Sequence, residues 1–373
     1  MAAGSAPDTA ARLWGRTFLH PVWDYALIGG GLSLLAVLAV MLMPDARQAG
    51  AFDFRGPQLG GIALLSYGIL LSNSAHFASS TVRLYTKPGA TTALPFLSMA
   101  FPVACFAVLT VCIAWPQTFG RNLQALYLTW SPYHYAAQAY GLAVMYCFRS
   151  GCLIGGQDKK LLWYVAMLPA VYTFIYTGGG RTGLSWLLTT DVHAIAGVGP
   201  ALAAVEGVFI VSAFVAPIWL FVRLWRSKTG PMPLISLLVL LSNGAWWFVM
   251  PPLDAFLVAT LFHGIQYLAI IVIFHVNEQV AQPENQRSRL GHAVWFYGVS
   301  LALGYVLFHA VPWAYMAVGF GAVESYMLVA AAVNLHHFIV DGYIWRLKKS
   351  DPNRKVVDAG AQPAAGSGTV VAA

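Results

Sequence analysis

Ten histidines punctuate the chain: His20, His76, His134, His193, His263, His275, His292, His309, His336 and His337. Three of them carry a polar partner one helical turn later. The pairs are His20–Asp24 in HPVWD, His134–Gln138 in HYAAQ and His337–Asp341 in HFIVD. A spacing of i, i+4 puts both side chains on one helix face. Imidazole is the commonest metal ligand, and it binds as the neutral ring. A carboxylate or amide beside it is either a further ligand or the group that fixes the tautomer of the ring. The densest constellation is NLHHFIVDGYIWR, which contains Asn334, His336, His337 and Asp341. Adjacent histidines on a helix point about 100° apart, so these two need not serve one ion and could bridge two sites. His263 has Gln266 one turn away, and Gly264 beside it leaves room for a close neighbour.

The elements that must position these side chains are apolar and long. Ten segments reach the roughly 20 residues that cross a bilayer. They run over 24–43, 58–80, 94–115, 122–148, 161–178, 200–222, 232–250, 253–276, 293–311 and 316–345. The last is too long for one straight crossing. With an inside N-terminus, Arg47, Arg55, Arg121 and Arg181 fall outside, and all the others of the 21 lysines and arginines fall inside. That asymmetry is the positive-inside pattern and places both termini in the cytoplasm. It also sorts the histidines by depth. His20, His76, His134, His263, His336 and His337 lie in the inner half. His134 and His263 each stand about 15 residues, or roughly 22 Å, from the next inner charge, Arg149 and Glu278.

Ionisable groups at that depth are costly and mark functional sites. A metal ion is the simplest way to keep several imidazoles together in low dielectric. The expected ligands are therefore His76, His134, His263, His336, His337 and Asp341, with His20, Asp24, Gln138 and Gln266 in support. His193, His275, His292 and His309 read as interfacial or hydrogen-bonding side chains. Trp246 and Trp247, beside Pro251 and Pro252, are expected to shape the outer surface.

Composition agrees with this frame. Hydrophobic residues make up 58% and charged residues 9%, against about a quarter charged in soluble domains. A water-soluble domain, a disordered chain and a nucleic-acid binder are excluded. The four cysteines form no CxxC and read as packing residues. No HExxH, P-loop, GxSxG or CxxCH motif is present. The spans look mostly continuous, unlike the broken helices of ion transporters. The fold class is thus an all-α polytopic membrane bundle of about ten helices. It divides into a cytoplasmic segment (1–23), a transmembrane domain (24–346) and a disordered tail (347–373).

The inner-face histidines resemble the membrane fatty-acid desaturase, hydroxylase and alkane hydroxylase group. His336–His337 matches the final pair of that group's boxes, although HxxxH and HxxHH are absent here. AHFAS around His76 and FHGIQYL around His263 resemble the HF and HSxxH segments of the Brp/Blh carotene-cleaving dioxygenases. Tyr267 stands where the second histidine of HSxxH would fall. Each resemblance covers under a tenth of the chain. Both imply oxygen-dependent chemistry on a lipid-soluble substrate at a histidine-held iron centre.

The expected function is a membrane oxidoreductase with one or two non-haem iron ions, manganese or copper also suiting such ligands. Its partners would be the bilayer, an isoprenoid or acyl substrate and an electron donor. The setting would be a bacterial inner membrane. Two other readings remain open. One is a metal-ion or proton transporter using the histidines as relays, and the other is a b-type haem electron carrier.

Overall fold

The computed structural model describes residues 13–42, 58–59, 62–63, 67–87, 90–176, 195–226, 230–250, 252–345 and 352–358. Long runs of Leu, Val, Ala and Phe have the backbone bonds of a helix as their one way to satisfy every N–H and C=O without water. The chain is accordingly helical. Helix α1 has two limbs, Pro21–Ile28 and Gly31–Leu42. Helix α2 begins as a π-helical turn, Ile69–Ser74, and continues over Ala75–Thr86. Then come α3 (Phe96–Ala114), α4 (Arg121–Arg149), α5 (Gly156–Tyr176) and α6 (Val198–Trp225). They are followed by α7 (Leu234–Val249), α8 (Pro252–Val280), α9 (Arg289–Ala317) and α10 (Ala322–Ile344). A short α11 covers Pro352–Asp358. Strands are confined, among the described residues, to a hairpin of Gln58–Leu59 with Ile62–Ala63.

Helices thus occupy the described parts of the predicted apolar segments, except that the segment 58–80 opens on the hairpin and is helical from residue 67 on. Five of them are long and apolar enough to cross a membrane: α3, α6, Asp254–Val280 of α8, α9 and α10. The two limbs of α1 together make a sixth candidate. Helix α7 is apolar but has 16 residues. Val103 on α3 and Val208 on α6 are 70% and 64% exposed. Such outward apolar side chains, repeated along both helices, face lipid in an integral membrane protein.

Several expectations are corrected. The first segment is not continuous, because its limbs meet at 55°. Gly30 sits at the break with φ of +76°, a left-handed conformation that glycine adopts without steric cost. The last segment does not start at 316. Helix α9 runs on to Ala317, Gly319 turns the chain at φ of +99°, and α10 starts at Ala322. The tail is not wholly without order, since α11 packs on α4 and α8 with Asn353 and Val357 buried. The remainder of the tail and His193 lie outside the described residues. Trp246 and Trp247 are buried, with Trp246 stacked on Phe262 at 5.1 Å.

The main apolar core joins α4, α5, α6, α7 and α8 through Leu142, Tyr146, Leu162, Leu220, Val239 and Phe274. Beside it, α2, α8, α9 and α10 pack around one another. Gly304 of α9 lets the π-helical turn of α2 sit close, whereas Gly264 of α8 leaves room for a Cβ. A Cβ on Gly264 of α8 would make ordinary contact with the Ser72 carbonyl at 3.4 Å. A Cβ on Gly304 of α9 would fall 2.6 Å from the Ser74 carbonyl carbon. That backbone cannot yield as a side chain can. Gly304→Ala is therefore expected to push α9 off α2, costing about 1–3 kcal/mol. A thermal melt in detergent checks this, and an unchanged midpoint would contradict it.

Candidate metal centre

Four helices each deliver one histidine to a single point: His76 from α2, His134 from α4, His263 from α8 and His337 from α10. One ring nitrogen of each lies within 4.8 Å of one nitrogen of every other. The His76 ring centre is 4.7 Å from that of His263 and 4.3 Å from that of His337. The His134 ring is 5.0 Å from His263 and 5.1 Å from His337. All four side chains are buried, His76 and His337 completely. The set can hold a metal ion.

Its hydrogen bonding points the same way. Both ring nitrogens of His76 are buried without a hydrogen-bond partner. So are the Nε2 atoms of His134, His263 and His337. Each orphaned buried polar atom costs about 1–3 kcal/mol. A single cation bound by one lone pair from each of the four rings would satisfy four of these five atoms and leave the other His76 nitrogen as an N–H.

A metal on His337 Nε2 would leave the ring proton on Nδ1. Ser80 Oγ, 2.9 Å from Nδ1, can then accept it while donating its own proton to the Phe77 carbonyl at 3.2 Å. Removing such an outer partner typically costs 10–100-fold in metal affinity. Ser80→Ala is expected to lose metal to a competing chelator in that range. Unaltered retention would show that Ser80 does not set the ring.

Asp341 stands at the edge of the cluster. Its Oδ2 is 3.4 Å from His337 Nε2 and 3.9 Å from His134 Nε2. Its Oδ1 accepts a hydrogen bond from the Tyr267 hydroxyl, which itself accepts one from Trp345 Nε1 at 3.3 Å. Tyr267 also lies edge-on to His76, with ring centres 4.3 Å apart. Where the dioxygenase resemblance would put a second histidine, this chain has a phenol that orients the carboxylate.

The polar bonds that tie the four helices together run through the same region. Tyr135 and Thr260 share a 2.6 Å hydrogen bond between α4 and α8. Gln138 Nε2 donates to the His263 carbonyl at 3.3 Å. Gln138 thus bonds the backbone of α8 rather than the His134 ring its spacing pointed to, and its Oε1 is left without a partner.

Four expected residues lie elsewhere. His336 turns away from the cluster and stacks on Phe101 at 5.0 Å and 11°. The roughly 100° step between neighbouring helical residues is the reason. His20 is exposed and caps α1, its Nδ1 accepting from the Val22 N–H at 3.2 Å. Asp24 is fully buried and accepts from the backbone N–H groups of Phe18, Leu19 and His20 and from the Tyr146 hydroxyl. Gln266 donates to the Ile28 carbonyl at 3.1 Å, a group left bare by the break in α1. These two serve the broken first helix, not the metal centre. Ser80 and Tyr267 were missed as supporting residues. Both stand four residues after a cluster histidine, His76 and His263, so the i, i+4 rule could have found them.

A cavity of about 660 Å³ opens beside the centre, lined by His134, Gln138 and Asp341 and by the aromatic side chains of Trp130, Phe338 and Trp345. His275 and His292 form a second buried pair on α8 and α9, with ring centres 6.3 Å apart. His275 stacks on Phe296, in line with a packing role.

No protein-family model, no curated protein and no solved structure matches this chain.

Proposed function

We propose that the protein is a metal-dependent oxidoreductase of the membrane, acting with dioxygen on a lipid-soluble substrate such as an isoprenoid or acyl chain. The observation that carries this reading is the convergence of four buried histidines, each with a ring nitrogen that lacks a hydrogen-bond partner, and a carboxylate beside a cavity. Iron is the metal this reading assigns, with manganese and copper as the other ions that suit imidazole. This reading assigns one ion, since Asp341 is the one carboxylate at the cluster among the described residues. An iron ion held there supplies the oxygen chemistry that amino-acid side chains lack.

The residues of the chain do the rest. His76, His134, His263 and His337 hold the ion from four helices, so the site is fixed by the packing of the bundle. Ser80 keeps the His337 proton on Nδ1. Tyr267 orients Asp341, whose second oxygen faces the cluster at the side where the cavity arrives. The aromatic walls exclude water from that side. An electron donor would approach from the cytoplasm. Ten crossings with both termini inside a bacterial inner membrane fit the charge asymmetry.

The tight grouping speaks against the haem reading. Four rings that each bring one nitrogen within 4.8 Å of the others crowd a single point and leave no plane for a macrocycle between two of them. For a transporter, the break in α1 is the feature to weigh, yet none of the four histidines lies on it. The test is incubation of the iron-loaded protein with membrane lipid, a reductant and isotopically heavy dioxygen. Mass spectrometry should then find a lipid oxidised in a metal-dependent way, with heavy oxygen either in it or in water. Lipids unchanged with and without metal would overturn the reading.

A further inference from the structure

We propose that the cavity beside the centre binds a single-chain lipid carboxylate, with its head group at Lys159 and its chain running past His134. The chemistry done on that chain rests on the oxidoreductase reading, whereas the binding stands by itself. About 660 Å³ falls within the roughly 300–1,000 Å³ of sites for one small ligand. Such a space suits one chain, not the two of a phospholipid. Its walls are mostly apolar, through Leu142, Met145, Phe148, Ile270 and Phe338.

Charge is distributed unevenly along it. Asp341 lies near the metal-centre end, and Lys159 is the cation in the lining. Lys159 is half-buried, with Nζ 4.7 Å from the Phe148 ring centre. No carboxylate among the described residues pairs with it, since its neighbour Asp158 faces Arg223 at 3.4 Å. Arg149, the other cation at that end of α4, is engaged by the carbonyls of Thr17 and Val356. One available ammonium matches a monoanionic head group. Lys159 lies beside Phe148, at the far end of the cavity from His134, and so sets the direction of the chain.

Length then says which part of the chain meets the histidines. From Phe148 back to His134 along α4 is about 21 Å at roughly 1.5 Å per residue. Trp130 extends the groove by about 6 Å more. A chain with its head at Lys159 must extend about 21 Å to reach His134, so it presents its distal end, not its head-group end, to His134 and Asp341.

The test uses purified full-length protein and hexadecanoate brominated near the methyl end, which quenches nearby tryptophan. Hexadecanol brominated at the same place is the neutral control. Saturable quenching that shrinks in Trp130→Phe is expected. Lys159→Gln should weaken hexadecanoate about tenfold and leave hexadecanol and bound metal unaltered. Equal affinity for acid and alcohol in the native protein, or no selective loss in Lys159→Gln, would overturn the proposal. Metal is measured on the same samples. Acid binding without metal would sink the oxidoreductase reading and keep the groove, and metal without acid binding would do the reverse.

Discussion

Alanine at His337 is expected to empty the metal centre, while alanine at His336, one residue earlier, is expected to leave it filled. The two side chains share a backbone and a sequence context, so the contrast isolates geometry. His337 is completely buried, offers Nε2 to the cluster and is held by Ser80. Its removal deletes one of four donors and frees the polar hydroxyl of Ser80. Loss of an outer partner alone costs 10–100-fold in metal affinity. Loss of a donor should exceed that, at roughly 100-fold or more, enough to leave the purified variant without stoichiometric metal. His336 packs on Phe101 and lines an apolar pocket with Phe77 and Leu307. Its truncation should cost packing only. Metal analysis of both variants checks the pair, and equal metal in the two would contradict the assignment.

Glu278→Ala is expected to produce the largest loss of stability. Arg83, 1% exposed, donates to Glu278 Oε1 at 2.8 Å and to Asn353 Oδ1 at 2.7 Å. Its guanidinium lies over the Trp345 ring at 5.4 Å, and its Nε and the second terminal nitrogen have no partner. Breaking a buried ion pair by removing one partner costs about 3–5 kcal/mol, because the other charge remains in low dielectric. Here that charge sits on α2, two turns from His76, and joins α8 to α11. The melting point should fall well below that of Glu278→Gln, which keeps a hydrogen-bonding oxygen. A fall no greater than a surface substitution gives, about 0.5 kcal/mol, would contradict this account of the pair.

The sequence made legible that His134 and His263 lie at one level of the bundle, and one pairing of the site. The two stand at equal distances from the charges Arg149 and Glu278, which is a one-dimensional measurement along helices. The same periodicity brings Asp341 to His337. What it could not supply was the rotation of each helix about its axis. That rotation separates His337 from His336, and it is set by packing against α2 and α3. Asp24 and Gln266 were drawn toward the metal because a buried polar residue needs a reason. Gln266 answers the break at Gly29 and Gly30, where the Ile28 carbonyl needs a partner, and Asp24 answers the start of α1, where the N–H groups of Phe18, Leu19 and His20 do. Apolar runs alone do not reveal such a break. Arg83 belongs with them: the charge pattern groups it with the inner loops, yet it is buried beneath Trp345.

The central claim is that the four histidines hold one metal ion. The most direct measurement is the metal content of the purified native protein, by mass spectrometry, together with its visible spectrum. The account predicts close to one equivalent of a transition metal, iron foremost, with no Soret band. Protein that purifies folded and metal-free, and takes up none of iron, manganese or copper on addition, would contradict it.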